Sequence, residues 1–286
     1  MDSHRLWVWS HLLSVVGLTG IALFWFLMPA GLARQAPPAR TRELLEVCRR
    51  ARWPHVGVPE RLRLPLPVAG LLVTALVAAT GVLAGGEVAP DLLFRAKLAA
   101  FALLVALQAI LLVTARPALL RPQLALVLLA LWLSAVWVRG APPDLATLAL
   151  LLHLTAMALW LGHMFVWPLL VGPALKTLRP PETAAVLREA SLWMGGLGWP
   201  ALAVLIPTGL YLLALRGIPP AALLDPATYA GPEGRVLLVK LLAVLWMIGY
   251  QALFGHRPAP RAIYTDMAAG LVVLAMSVLL VRGVAG

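Results

Sequence analysis

Histidine, methionine and lysine fall in this chain where polar side chains are costly. The tract LLHLTAMALWLGHMFVWPLLVGP holds His153, Met157, Trp160 and Met164 at steps of four, three and four, which is one stripe of a helix. His163 follows His153 by ten positions and projects to nearly the same side, about 15 Å further along the axis. Imidazole and thioether together suit copper, whose reduced ion favours soft sulfur. They equally suit a haem iron with His or Met as axial ligand. Otherwise they are packing residues, with methionine filling gaps and histidine bonding a neighbouring carbonyl. Lys97 and Lys240 sit in FRAKLAAFALLVALQ and RVLLVKLLAVLWMIGYQ. An ammonium there either reaches back to the membrane interface, holds an anionic group such as a haem propionate, or donates a proton once desolvated. Ionisable groups at such depth mark function by default.

These residues recur. Lys97 and Lys240 are 143 positions apart, as are Gln108 and Gln251 and the VRG tripeptides that begin at Val138 and Val281. His11-Leu12 and His153-Leu154 are 142 apart, and Thr80-Gly81 returns as Thr208-Gly209. The stripe after His11 runs through Val15, Leu18 and Ala22 and lacks sulfur, so the second copy is the more specialised. His11 is then a second ligand, a weaker second site or a remnant of duplication. Gln108 and Gln251 lie three helical turns beyond their lysines, placed to bond a neighbouring helix or a polar head group.

The elements that must position these residues follow from hydropathy. The chain has 286 residues, 62% of them hydrophobic and only 12% charged, with mean hydropathy +0.90. Apolar runs of about 20 residues indicate a polytopic helical membrane protein. Eight spans are expected, near 7–29, 66–86, 92–114, 121–139, 145–171, 191–215, 235–255 and 264–283. The first already carries the repeat motif and is read as mature structure rather than a signal peptide. The fold expected is all-α: two tandem four-helix repeats, 1–140 and 141–286, parallel because each half has an even number of spans. Arg139 to Asp144 is a tight hairpin joining them.

The net charge of +11 is a topology signal and not a nucleic-acid footprint. Fifteen of the 23 basic residues fall in alternate loops, eight of them in the basic loop 31–65. The opposite loops carry Glu87, Asp91, Asp144, Asp225 and Glu233. The positive-inside rule then puts both termini outside and the basic loops in the cytoplasm, where they attract anionic lipid. With this topology His11, His153, Lys97 and Lys240 all lie in the outer half of the bundle. Residues 39–54 either form a short basic surface helix or stay solvated, and the loop from Gly217 to Gly234 reads as turn-rich and structured. Pro200 and Pro207 interrupt span six, for packing or to admit a planar group. The single cysteine, Cys48, precludes an intrachain disulfide and thiolate clusters. His55 and His256 fall in or near cytoplasmic loops. No Walker loop, HExxH or dinucleotide fingerprint is present, and the spans lack the carboxylates of ion-coupled transporters.

HLTAMALWLG, WPALAVLIPTGLYLL and RVLLVKLLAVLWMIGYQ, with the HLLSVVGLTGIALFW opening, resemble the copper resistance protein D family of bacterial inner-membrane proteins over nearly the whole chain. Spans five to seven also resemble the four-helix HemJ-type protoporphyrinogen oxidase family. The first resemblance implies a protein that moves copper across the membrane or delivers it from an outer carrier, through His153, Met157, His163, Met164 and His11. The second implies haem b held by His153 and Lys240, and by duplication His11 and Lys97, with Gln251 nearby. It leaves open electron transfer from quinol to an outer acceptor or copper, or oxidation of a porphyrinogen. Two departures stand out. Span four ends LWLSAVWVRG, without the Gly-His-Ala type motif frequent in the copper family, and Tyr250-Gln251 replaces a tyrosine-histidine pair of the haem-linked family.

Overall fold

In hydrocarbon a backbone must satisfy its own N–H and C=O groups, and an unbroken apolar run does so as a helix. The computed structural model describes residues 3–34, 37–39, 41–43, 66–85, 92–114, 117–139, 143–166, 196–254 and 260–280. All regular structure among them is helical. The long helices are α1 (Ser3–Ala33), α2 (Leu66–Gly85), α3 (Leu92–Thr114), α4 (Leu120–Arg139), α5 (Leu145–Val166), α6 (Gly198–Ala214), α7 (Pro232–Phe254) and α8 (Pro260–Leu280). Each falls on one of the expected apolar segments. Five of them, α1, α3, α4, α5 and α7, contain stretches long and apolar enough to cross a membrane, and α2, α6 and α8 contain shorter apolar stretches. Exposed Leu72, Leu76, Leu103, Leu245 and Leu253 give the bundle an apolar exterior suited to lipid. Of the basic surface helix considered at 39–54, residues 39 and 41–43 are helical, and the rest of it, with Cys48, His55 and His256, lies outside the described residues.

Neighbouring helices follow the same circuit in both halves. In the first, α1 packs on α2 and α4, α2 on α3, and α3 on α4. In the second, α5 packs on α6 and α8, α6 on α7, and α7 on α8. The second circuit is looser: α7 and α8 pack closely on each other and only lightly on α6 and α5.

The halves meet mainly along α1 and α5. In a bilayer, apolar burial does little to drive helices together, and small residues that let backbones approach matter more. Gly20 and Gly162 fill this role. A methyl group on Gly20 would come within 2.5 Å of the Ala158 carbonyl oxygen, and one on Gly162 would run into the carbonyl group of Gly20. The two glycines are 142 positions apart, the offset of His11 and His153, so the same position of each half meets itself across the seam. Around it, Leu12, Val15, Leu18, Leu154, Met157 and Trp160 are buried in one apolar core.

The connections are built by local hydrogen bonds. Between α4 and α5, Arg139 Nη2 lies 2.9 Å from Asp144 Oδ2. Oδ1 of Asp144 accepts from the backbone N–H and the hydroxyl of Thr147, at 2.7 and 2.8 Å, which caps α5. The Thr147 N–H foremost, then its hydroxyl and Arg139, hold the Asp144 carboxyl below the ordinary carboxylate range. After α6, Gly217 adopts φ 78°, the left-handed geometry that a glycine takes without penalty. The N–H of Gly217 bonds the Ala214 carbonyl and that of Ile218 the Leu213 carbonyl, a Schellman ending. The following loop, expected to be turn-rich and structured, forms two 3-10 turns, Pro220–Leu224 and Pro226–Tyr229. The Thr228 hydroxyl donates to Ala222 O and that of Tyr229 to Leu223 O, both at 2.6 Å.

Candidate functional site

Each half positions its histidine by one device. Nδ1 of His11 lies 3.2 Å from the Val77 carbonyl and 3.3 Å from Thr80 Oγ1. The Thr80 hydroxyl donates to that same Val77 carbonyl at 2.8 Å. In the second half, Nδ1 of His153 lies 3.0 Å from Thr208 Oγ1, and the Leu205 carbonyl is its backbone partner. The Thr208 hydroxyl donates to Val204 O at 2.6 Å. The next residue on each facing helix is glycine. A Cβ on Gly81 would sit 2.8 Å from Cε1 of His11, and one on Gly209 would sit 3.2 Å from Cε1 of His153. The repeated Thr-Gly pairs are therefore histidine cradles, the threonine bonding the ring and the glycine making room for it.

The cradle also fixes the chemistry of the ring. A carbonyl can only accept, and each threonine proton is already directed at a carbonyl. Nδ1 of each neutral imidazole is thus the N–H donor, and the lone pair is on Nε2. That is the usual arrangement of a metal-binding histidine, whose second ring nitrogen is held by an outer hydrogen bond.

At Nε2 the halves part. In the first, Ser134 Oγ stands 3.4 Å from Nε2 of His11, in place to donate. The Phe101 ring meets the imidazole edge-on at 5.4 Å between centroids, and His11 is fully buried. In the second half the serine at the same register, Ser277, donates instead to Val273 O at 2.7 Å. Among the described residues no hydroxyl takes its place at Nε2 of His153, and His153 is only half-buried.

The lysines differ in the same sense. Lys97 is fully buried and does not reach back to the interface. Its Nζ sits 3.7 Å from the centre of the Trp137 ring and 4.9 Å from that of Phe94. Lys240 is half-buried. The Lys97 ammonium acts electrostatically on His11, that of Lys240 acts on His153, and Arg216, just beyond α6, acts on Lys240. His11 and His153 lie early in α1 and α5, the cradles late in α2 and α6, and the lysines early in α3 and α7, so each cluster forms at one end of its bundle.

The remaining expected residues lie elsewhere. Met157, Trp160 and Met164 are buried in the central apolar core, and Gly270 of α8 approaches the Trp160 ring. Along α5, Met164 is about 16 Å from His153, too far to share one ion with it. The side chain of His163 lies outside the described ones. Gln251 is buried against Gly198, whose added Cβ would meet Oε1 at 2.5 Å. Gly198 is eleven residues before Gly209 on α6, so Gln251 belongs to a level about 16 Å from the His153 cradle. Four features did not enter the sequence reading: Ser134, the rings of Phe101 and Trp137, and the Gly20–Gly162 contact. Register arithmetic singles out Ser134, Phe101 and Trp137 once the repeat offsets are applied; the glycine contact shows only in the packing.

The chain matches no family model, no curated protein and no solved structure.

Proposed function

We propose that this chain is a copper-handling redox protein of the bacterial cytoplasmic membrane, with eight spans arranged as two parallel four-helix repeats and both termini outside. In this reading it passes electrons from a quinol to copper at the outer face, and the second half holds the working centre on His153. One quinol gives up two electrons and two protons, and two cupric ions become cuprous. The observation that carries the proposal is His153 itself, half-buried, held at Nδ1 by Thr208 and accompanied by Lys240.

Haem b suits these residues: Met157 and Met164, the thioethers that would join His153 on a bare copper ion, are buried in the central core, and Met164 is about 16 Å along α5 from the histidine. A tetrapyrrole brings four nitrogens of its own and asks the protein for axial ligands, an apolar enclosure and partners for its propionates. His153 would supply the axial nitrogen and Lys240 a propionate partner. When bound, the group supplies reversible one-electron chemistry. Thr208 and the Leu205 carbonyl keep the ring proton on Nδ1, and Gly209 lets α6 lie against the ring.

The test is an absorption spectrum with metal analysis on one purified sample. The expected result is a Soret band with iron, lost in His153→Ala. A second reading, direct passage of copper along α5, draws on the thioethers of Met157 and Met164. It expects a colourless protein and cellular copper levels that respond to Met157→Leu with Met164→Leu.

A further inference from the structure

The two cradles are alike, yet what stands in front of them is not. In the first half one aromatic ring stands at His11 and two enclose the ammonium of Lys97. Phe101 lies against the imidazole, and Trp137 and Phe94 receive the Lys97 ammonium on their faces. Phe94 and Trp137 also face each other, 6.0 Å between centroids. At the 143-residue offset the second half has Leu237, Val244 and Leu280 in their places. Every ring is replaced by an aliphatic side chain, and the helices that carry those side chains pack loosely on α5 and α6.

We infer that the first half carries the same binding pocket as the second, plugged by its own Phe94, Phe101 and Trp137 with the Lys97 ammonium as an internal ligand, so that the chain binds a single metal group. Phe101 stands beside the imidazole where an incoming planar group would lie, and the faces of Phe94 and Trp137 stabilise the cation that would otherwise hold an anionic substituent. Ser134 completes the closure by engaging the lone pair that would ligate a metal. The single stoichiometry rests on the function proposed above; the plug itself does not.

Two measurements on the full-length protein test this separately. Haemin is titrated into purified protein and the haem-to-protein ratio read from the pyridine haemochrome. Wild type and His11→Ala should each bind one haem, and Phe94→Leu with Phe101→Val and Trp137→Leu should bind more than one. Two haems in wild type, or loss of haem in His11→Ala, overturns the inference. Independently, a small membrane-permeant amine reagent is applied without haemin and the modified lysines mapped by mass spectrometry. Lys97 should stay unmodified in wild type while Lys240 reacts, and the triple variant should expose Lys97 to the same extent as Lys240. Lys97 reacting as readily as Lys240 in wild type, or remaining unreactive in a folded triple variant, removes the plug. If no haem binds at all, the redox proposal fails and the labelling still decides the plug; if the triple variant does not fold, the wild-type labelling decides it.

Discussion

The two halves share a histidine cradle and differ in what they leave within reach. Around His11 every approach is taken: Ser134 at Nε2, Phe101 on the ring edge, and Lys97 turned into aromatic faces. Around His153 an equivalent threonine, carbonyl and glycine hold the ring, while His153 and Lys240 are each only half-buried. The lesson is that positioning a histidine and leaving it within reach are separable tasks. The first is done by the helix that carries Thr-Gly, and the second by the residues of the third and fourth helices.

The largest effect should come from the histidines themselves. His153→Ala is expected to remove the Soret band entirely and His11→Ala to leave it intact; equal losses would erase the distinction between the halves. Next come the cradles. Thr208→Val removes the outer hydrogen bond of His153 and should weaken haem binding about 10- to 100-fold. Thr80→Val should leave haem binding unchanged and cost about 1 kcal/mol of stability, read as a lower melting temperature in detergent.

The seam offers a test of symmetry rather than of difference. Gly20→Ala and Gly162→Ala each drive a methyl group into the backbone of the opposite half, and each should destabilise by about 1–3 kcal/mol. Similar losses from both sides are expected, and a loss confined to one would show that the halves do not meet symmetrically. The smallest effect belongs to the hinge between them. Asp144 is held below the ordinary carboxylate range, so the unfolded chain takes up its proton first as the pH falls. Its contribution is complete at neutral pH and is lost as the pH drops through the lowered folded value. Asp144→Asn should lower the melting temperature slightly at pH 7, and the gap from wild type should close in strong acid.

Much of the scaffold was legible in the sequence. The apolar runs marked the eight long helices among the described residues, five of them apolar and long enough to cross a membrane. The histidines and lysines were legible because polar groups in such runs are few and these recurred at offsets of 142 and 143; the Thr-Gly pairs recurred as well, 128 positions apart. Lys97 was not settled by its position, since a long stem near a helix end permits either the interface or the interior. The closing rings were harder still: Phe94, Phe101 and Trp137 look like any lipid-facing aromatics until the repeat shows aliphatics opposite them. Gly20 and Gly162 carry no chemical signal, and only the packing of α1 on α5 reveals their use.

A contact in which two glycines 142 positions apart meet backbone to backbone has an evolutionary consequence. Any enlargement at residue 20 is felt at once by residue 162, so the two halves are free to differ in their interiors but are bound to change together along their shared axis.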